Sequence, residues 1–259
     1  EVSINGINDI SRDRGRVLGR ITVESDRNIT TQNITSRSGL IELSSRSGNI
    51  DTTGGTLSSS LSTGNGGKVS LSAGQNLNVG DIEANGLAGG HISLSAEDTI
   101  AINQRRIASV TLGQGTGQGI NLNADVVKVM NDGRVVSSTS GPGDAGDVEI
   151  TARQLRVQGN PDQITVITTN TTQDSAGEGG DLIVDASESV ELIGNQPGEF
   201  IPDITNSLAI FQAATTSVGL TTASFGSGDA GTLIIDTERF TVRKDRKSTR
   251  LNSSHLVIS

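Results

Sequence analysis

The chain has 259 residues, 33 of them glycine, with four Phe, no Trp, no Tyr, no Cys and a formal net charge of −9. Such a composition excludes a bulky aromatic core, a disulfide framework and a thiolate metal site. No run approaches the roughly 18 apolar residues of a membrane-spanning helix, and the charges are interspersed, with only seven Arg against six acids in residues 1–50, too slight a bias for a nucleic-acid footprint.

One template, Gly-x-Φ-x-Φ-x-(Ala/Ser/Thr) with Φ apolar, recurs from one end to the other. In chain order it reads GRITVES (19–25), GLIELSS (39–45), GKVSLSA (67–73), GHISLSA (90–96), GDVEITA (146–152), GDLIVDA (180–186) and GTLIIDT (231–237). A further copy, QGINLNA (118–124), has its glycine one place late. The small closing residues advance by 20, 28, 23, 28, 28, 34 and 51 residues, and the last step predicts an unrecognised extra unit. A second apolar pair follows most copies: Leu77 and Val79, Ile100 and Ile102, Leu155 and Val157, Val190 and Leu192, Phe240 and Val242. Alternation of period 2 between Gly, Asn, Asp and Ser turns predicts short strands, and no window carries a helical period.

A unit of this size cannot bury its own apolar face and must stack on its neighbours. The pattern therefore predicts an all-β fold, a single-stranded right-handed parallel β-helix (β-solenoid) of about nine or ten coils spaced by about 4.8 Å. Its inward columns are Ile21, Ile41, Val69, Ile92, Ile120, Val148, Leu182 and Leu233, and beside them Val23, Leu43, Leu71, Leu94, Leu122, Ile150, Val184 and Ile235. The rival architecture, an antiparallel sandwich, calls for tight hairpins, whereas equivalent strands here recur one full unit apart.

Within residues 1–244 the Gly/Asp clusters raise a question of chemistry. Alignment of the copies places Asp144 on Glu178 and Asp229, and Asp147 on Asp181. Stacked carboxylates about 5 Å apart repel by about 0.8 kcal/mol even at the dielectric of water. A calcium ion relieves such repulsion; ordinary Asp-Gly turn chemistry is the other reading, and the tandem nonapeptide of calcium-binding β-rolls is missing. GQGTGQGIN (113–121) has no following Lys and opens no helix, so it reads as a coil corner rather than a phosphate loop. His91 reads as a solvated turn residue. The outward middle positions, Thr22, Glu42, Ser70, Ser93, Asn121, Glu149, Ile183 and Ile234, hold two Glu far apart, which is no acid/base pair. No catalytic residue, metal ligand or cofactor is expected. Ile183 and Ile234 are either covered by the segment from Gly194 to Phe225, with Phe200, Ile201 and Phe211, or form a contact patch.

GDAGDVEITARQLRV (143–157) and GSGDAGTLIIDTERFTV (226–242), with GRITVESDRNITTQNI and SGNIDTTGG upstream, resemble the repeats of filamentous-haemagglutinin-like exoproteins of the two-partner secretion family, cyanobacterial-type members above all. The resemblance spans about residues 15–244. It implies a secreted or outer-membrane-surface rod acting in adhesion, exported by an outer-membrane transporter, with host-cell, surface-glycan or matrix contacts. The family's N-terminal secretion domain and its Asn-Pro motifs are not in this sequence, where Asn-Pro occurs once, at Asn160. A polysaccharide-degrading β-helix enzyme and a structural surface-layer component are the other functional classes that fit such a fold.

The last stretch departs from the repeat. Asp245 to His255, DRKSTRLNSSH, resembles the translation of a common sequencing adapter, so 245–259 is expected to be non-native. Without that stretch 28 acids face 17 bases, a net −11, and the chain is read as an internal fragment of a longer protein.

Overall fold

The computed structural model describes residues 2–4, 7–9, 19–160, 163–194, 218–244, 247–251 and 255–258. Among these residues there is no helix, and all strands except Lys247–Leu251 and His255–Ile258 fall into three parallel columns.

The first column stacks Arg20–Ser25, Leu40–Ser45, Lys68–Ala73, Ile92–Ala96, the leading halves of Ile120–Met130, Val148–Gln158 and Leu182–Gly194, and then Leu233–Thr237. The second stacks Val2–Ile4, Ile29–Thr31, Ile50–Asp51, Leu77–Val79, Thr99–Asn103, the trailing halves of the same three long strands, and Phe240–Lys244. The third runs Ile7–Asp9, Ile34–Ser36, Thr56–Ser58, Asp81–Glu83, Arg106–Thr111, Arg134–Thr139, Thr165–Thr171 and Val218–Ser224. The chain visits the columns in this order, once per coil, which makes it a single-stranded parallel β-helix.

Register follows the repeat rung by rung. Ile21 pairs with Ile41, Ile41 with Val69, Val69 with Ile92, Ile92 with Ile120, Ile120 with Val148 and Val148 with Leu182. All of these side chains are buried, as are Leu43, Leu71, Leu94, Leu122, Ile150, Val184 and Ile235; Val23, on the first rung, is partly buried. At about 1.5–3 kcal/mol for each fully buried aliphatic, this interior is the main force holding coil to coil.

The 51-residue step is a correction to the sequence reading. Leu182 pairs directly with Leu233, so no further rung lies between them. The additional length enters between the end of the second column at Gly194 and the return of the third at Val218. Residues 195–217, with Phe200, Ile201 and Phe211, lie outside the described residues.

Glycine opens each first-column strand because its backbone lies against the glycine below. A Cβ on Gly39 would stand 1.8 Å from the carbonyl oxygen of Gly19, one on Gly67 2.1 Å from that of Gly39, and one on Gly180 2.2 Å from that of Gly146. Gly119, the late glycine, differs by adopting φ +82°, a left-handed conformation that suits glycine.

The third column carries one aliphatic per rung (Ile34, Leu57, Ile82, Ile107, Val135, Ile167) and, two residues on, mostly a buried hydroxyl. Ser36 Oγ donates to the Gly19 carbonyl at 3.2 Å, Ser109 Oγ to Gly90 at 2.7 Å, Ser137 Oγ to Gly146 at 2.6 Å, and Ser59 Oγ to Gly39. The coil is thus closed by hydroxyls that satisfy the carbonyls of the repeat glycines.

The final coil is met by strands running the other way. Phe240–Lys244 pairs antiparallel with Lys247–Leu251, and Leu233–Thr237 with His255–Ile258. A solenoid end presents open rows of N–H and C=O groups that accept a strand through its backbone.

Candidate functional site

The acids singled out from the sequence lie where Gly-rich turns deliver the chain to the first column. Coil stacking sets Glu178 against Asp144 and Asp181 against Asp147. Asp144 Oδ1 accepts the backbone N–H of Glu178 at 3.0 Å, Asp147 Oδ1 that of Asp181 at 2.8 Å, and Asp181 Oδ1 that of Thr232 at 2.7 Å. Three carboxylates are therefore each taken up by the backbone of the coil above, a charge-assisted bond. The turn reading of these residues accounts for the contacts. Among the described residues no group of three or more His, Asp or Glu is placed to hold a metal ion.

GQGTGQGIN forms a coil corner stacked on the turn above it, with the Gly117 N–H donating to the Asp144 carbonyl at 2.9 Å. His91 is half-buried at its strand edge, its Nδ1 3.4 Å from the Gln118 carbonyl. The outward middle positions stack in register from Thr22 through Glu42, Ser70, Ser93, Asn121, Glu149 and Ile183 to Ile234. Glu42 pairs with Arg20 at 3.0 Å and Glu149 accepts a bond from Asn121 Nδ2 at 2.8 Å. Four rungs separate the two Glu, about 19 Å at about 4.8 Å per rung, twice the reach of a glycosidase carboxylate pair. Ile183 and Ile234 are half-buried and stacked on one another; the segment expected to cover them is largely residues 195–217.

A feature not read from the sequence stands at the corner between the first and second columns. Arg153 holds Asp125 in a bidentate fork, Nε to Oδ1 at 2.8 Å and Nη2 to Oδ2 at 3.0 Å, while its Nη1 binds Glu188. Arg239 extends the row, with Nη2 3.4 Å from Glu188 Oε1. The hydrogen bond from Arg153, with the help of its charge, outweighs desolvation and keeps the Asp125 carboxyl below its ordinary range. Glu188 is lowered by a hydrogen bond from Gln154 first and Arg153 second. Asp125 and Glu188 together push the Arg153 guanidinium still higher. The signal was present in part in the sequence: the residue after the small corner residue is Asp26, Arg46, Gly74, Glu97, Asp125 and Arg153 in the first six copies, and Ser187 and Glu238 in the last two, where Glu188 and Arg239 come one place later. Asp26 and Arg46 pair in the same way at 3.0 Å.

Gly74 interrupts that corner row and leaves a shallow notch of about 320 Å³ between Arg46 and Glu97, faced by Ser44, Ser72 and Ser95. Polar side chains spread evenly along the axis, one per coil, do not converge on a reacting atom. The arrangement is suited to holding coils in register. Comparison with protein-family models, with curated proteins and with solved structures finds no match for the chain.

Proposed function

We propose that this chain is a non-catalytic stalk segment of a secreted or cell-surface haemagglutinin-like adhesin, exported through an outer-membrane two-partner-secretion transporter. The observation that carries the reading is the division of labour between inside and outside. The interior is one apolar cluster from Ile21 to Phe240, aliphatic but for that last ring, while the outer carboxylates at Asp144, Asp147 and Asp181 serve the next coil's backbone. A rod built this way supplies length and repetition, and its contacts with host cells, surface glycans or matrix would be made along its sides.

Antibodies against residues 19–244 provide the test on cells of the source organism. The expected result is labelling of intact cells that disappears when the outer-membrane transporter is deleted. Labelling only after permeabilisation would overturn the export reading. New reducing or unsaturated ends released from a polysaccharide panel would replace the stalk by an enzyme.

A further inference from the structure

Stacked charges in this fold meet opposite charges: Arg20 faces Glu42, Arg46 faces Asp26, Arg153 faces Asp125 and Glu188, and Arg243 faces Glu191. Among the cations two places break the pattern. Lys128 and Arg156 are register partners on the outer face of the second column, and Arg106 and Arg134 are register partners at the entrance to the third. Arg134 is answered by Asp132 and the adjacent Arg105 by Asp81. Arg106, Lys128 and Arg156 form no ion pair among the described residues. Lys128 and Arg156, with the carboxylate of Glu191 on the next rung, make a short basic ridge on a chain of net charge −9.

The opposite sign gathers on the outer face of the first column at later rungs. Asp147 stacks on Asp181 and Asp185 on Asp236, with Glu149 between Asp147 and Thr151, and no Lys or Arg stands among them. Asp185 and Asp236 are exposed and make no hydrogen bond through their side chains among the described residues.

We infer that the basic ridge of one copy docks on the acidic row of a second copy, so that these rods associate side by side. Three arguments select this occupant. Both rows take their spacing from the same rung of about 4.8 Å, so cations and carboxylates of two copies stay in step over successive coils. Screening over about 10 Å at moderate salt means that facing rows, rather than the net charge of whole chains, govern the contact. Within the chain the stacking of Lys128 on Arg156 meets a carboxylate on one side only, Glu191 on the rung beyond Arg156, and a carboxylate row laid across it relieves the remaining repulsion. Ridge and row lie on different faces, so the contact is heterologous and propagates sideways into bundles instead of closing as a dimer. This goes beyond the stalk reading and does not depend on it.

Sedimentation velocity of the full 259-residue chain at low and high ionic strength tests the inference. Association is expected at low salt and a single chain at high salt. The Lys128→Glu/Arg156→Glu variant and the Asp185→Lys/Asp236→Lys variant should each remain monomeric at low salt. Mixed together they should associate again, since each then offers the sign the other lacks, an outcome that misfolding of either variant cannot produce. A monomeric wild type at low salt, or association that survives the ridge reversal, would overturn the inference. So would a ridge that binds an acidic polysaccharide while the chain itself stays monomeric.

Discussion

The coils before residue 115 and those after it turn the same corner by different means. In the early coils three or four residues separate the small closing residue from the next inward aliphatic, as from Ser25 to Ile29 and from Ser45 to Ile50, and the strand breaks there. Uncharged groups hold the bend alongside the exposed Asp26–Arg46 pair. Ser45 Oγ donates to the Arg27 carbonyl at 2.7 Å and accepts the Gly48 N–H at 3.0 Å, and Asn28, Asn49 and Asn76 form an amide ladder across successive coils. From Ala124 and Ala152 only two residues intervene, and the strand runs on through the corner as Ile120–Met130 and Val148–Gln158. Two extended residues offer no free backbone turn to cap, so the outward side chains Asp125 and Arg153 brace the corner instead. Where one residue is added, before Ser189, the strand stays continuous and takes a register shift.

If the two regions differ only at the corner, their interiors should respond alike. Leu122→Ala in a late coil and Leu43→Ala in an early one are each expected to cost about 2–5 kcal/mol in urea unfolding; a large gap between them would show that the difference reaches the core. Gly180→Ala sets a Cβ 2.2 Å from the Gly146 carbonyl oxygen, and overpacking of that kind costs about 1–3 kcal/mol by the same measurement. Ser45→Ala should remove about 1–2 kcal/mol by leaving the Gly48 N–H and Arg27 carbonyl without their partner, whereas Ala152→Ser at the equivalent late position should change little. The smallest effect belongs to Arg153→Met. Asp125 and Glu188 have folded pKa values below their unfolded ones, so their contribution is present above the ordinary carboxylate range and lost as pH falls through the folded values. Urea midpoints followed downward from about pH 5 should fall less steeply in Arg153→Met than in the parent chain, and added salt should narrow the difference, since the pair is exposed.

Two of the three columns were legible in the sequence because their inward positions are aliphatic and spaced by two. Every first-column partner except the supposed unit inside the 51-residue step follows the spacing of the repeat. The third column was hidden by its hydroxyls: Ile34-Thr35-Ser36 and Leu57-Ser58-Ser59 each carry a single apolar residue and show no alternating pair, yet Ser36 and Ser59 are buried and tied to glycine carbonyls. A polar residue turns inward without penalty when a carbonyl is stationed there, and that station comes from another part of the coil. The stacking of Asp144 and Asp147 on Glu178 and Asp181 followed from alignment alone. Which atoms the carboxylates would meet did not, because backbone N–H groups of the next coil carry no mark in the sequence. Asp125 and Arg153 directly follow their corner residues in the sequence, whereas Glu188 and Arg239 stand one place later, after Ser187 and Glu238, and join the row only once the strands are laid in register.

Stacking one coil on another also fixes how such a rod yields to tension. A pull along the axis loads the last coil first and peels its strands away in turn, since each coil is bonded only to its neighbours. Releasing the 28 residues from Ile120 to Asp147 shortens the rod by one rung of about 4.8 Å and liberates about 95 Å of extended chain at about 3.4 Å per residue. Each coil is a stored length roughly twenty times its own height, and a tether made of them extends stepwise under load before it breaks.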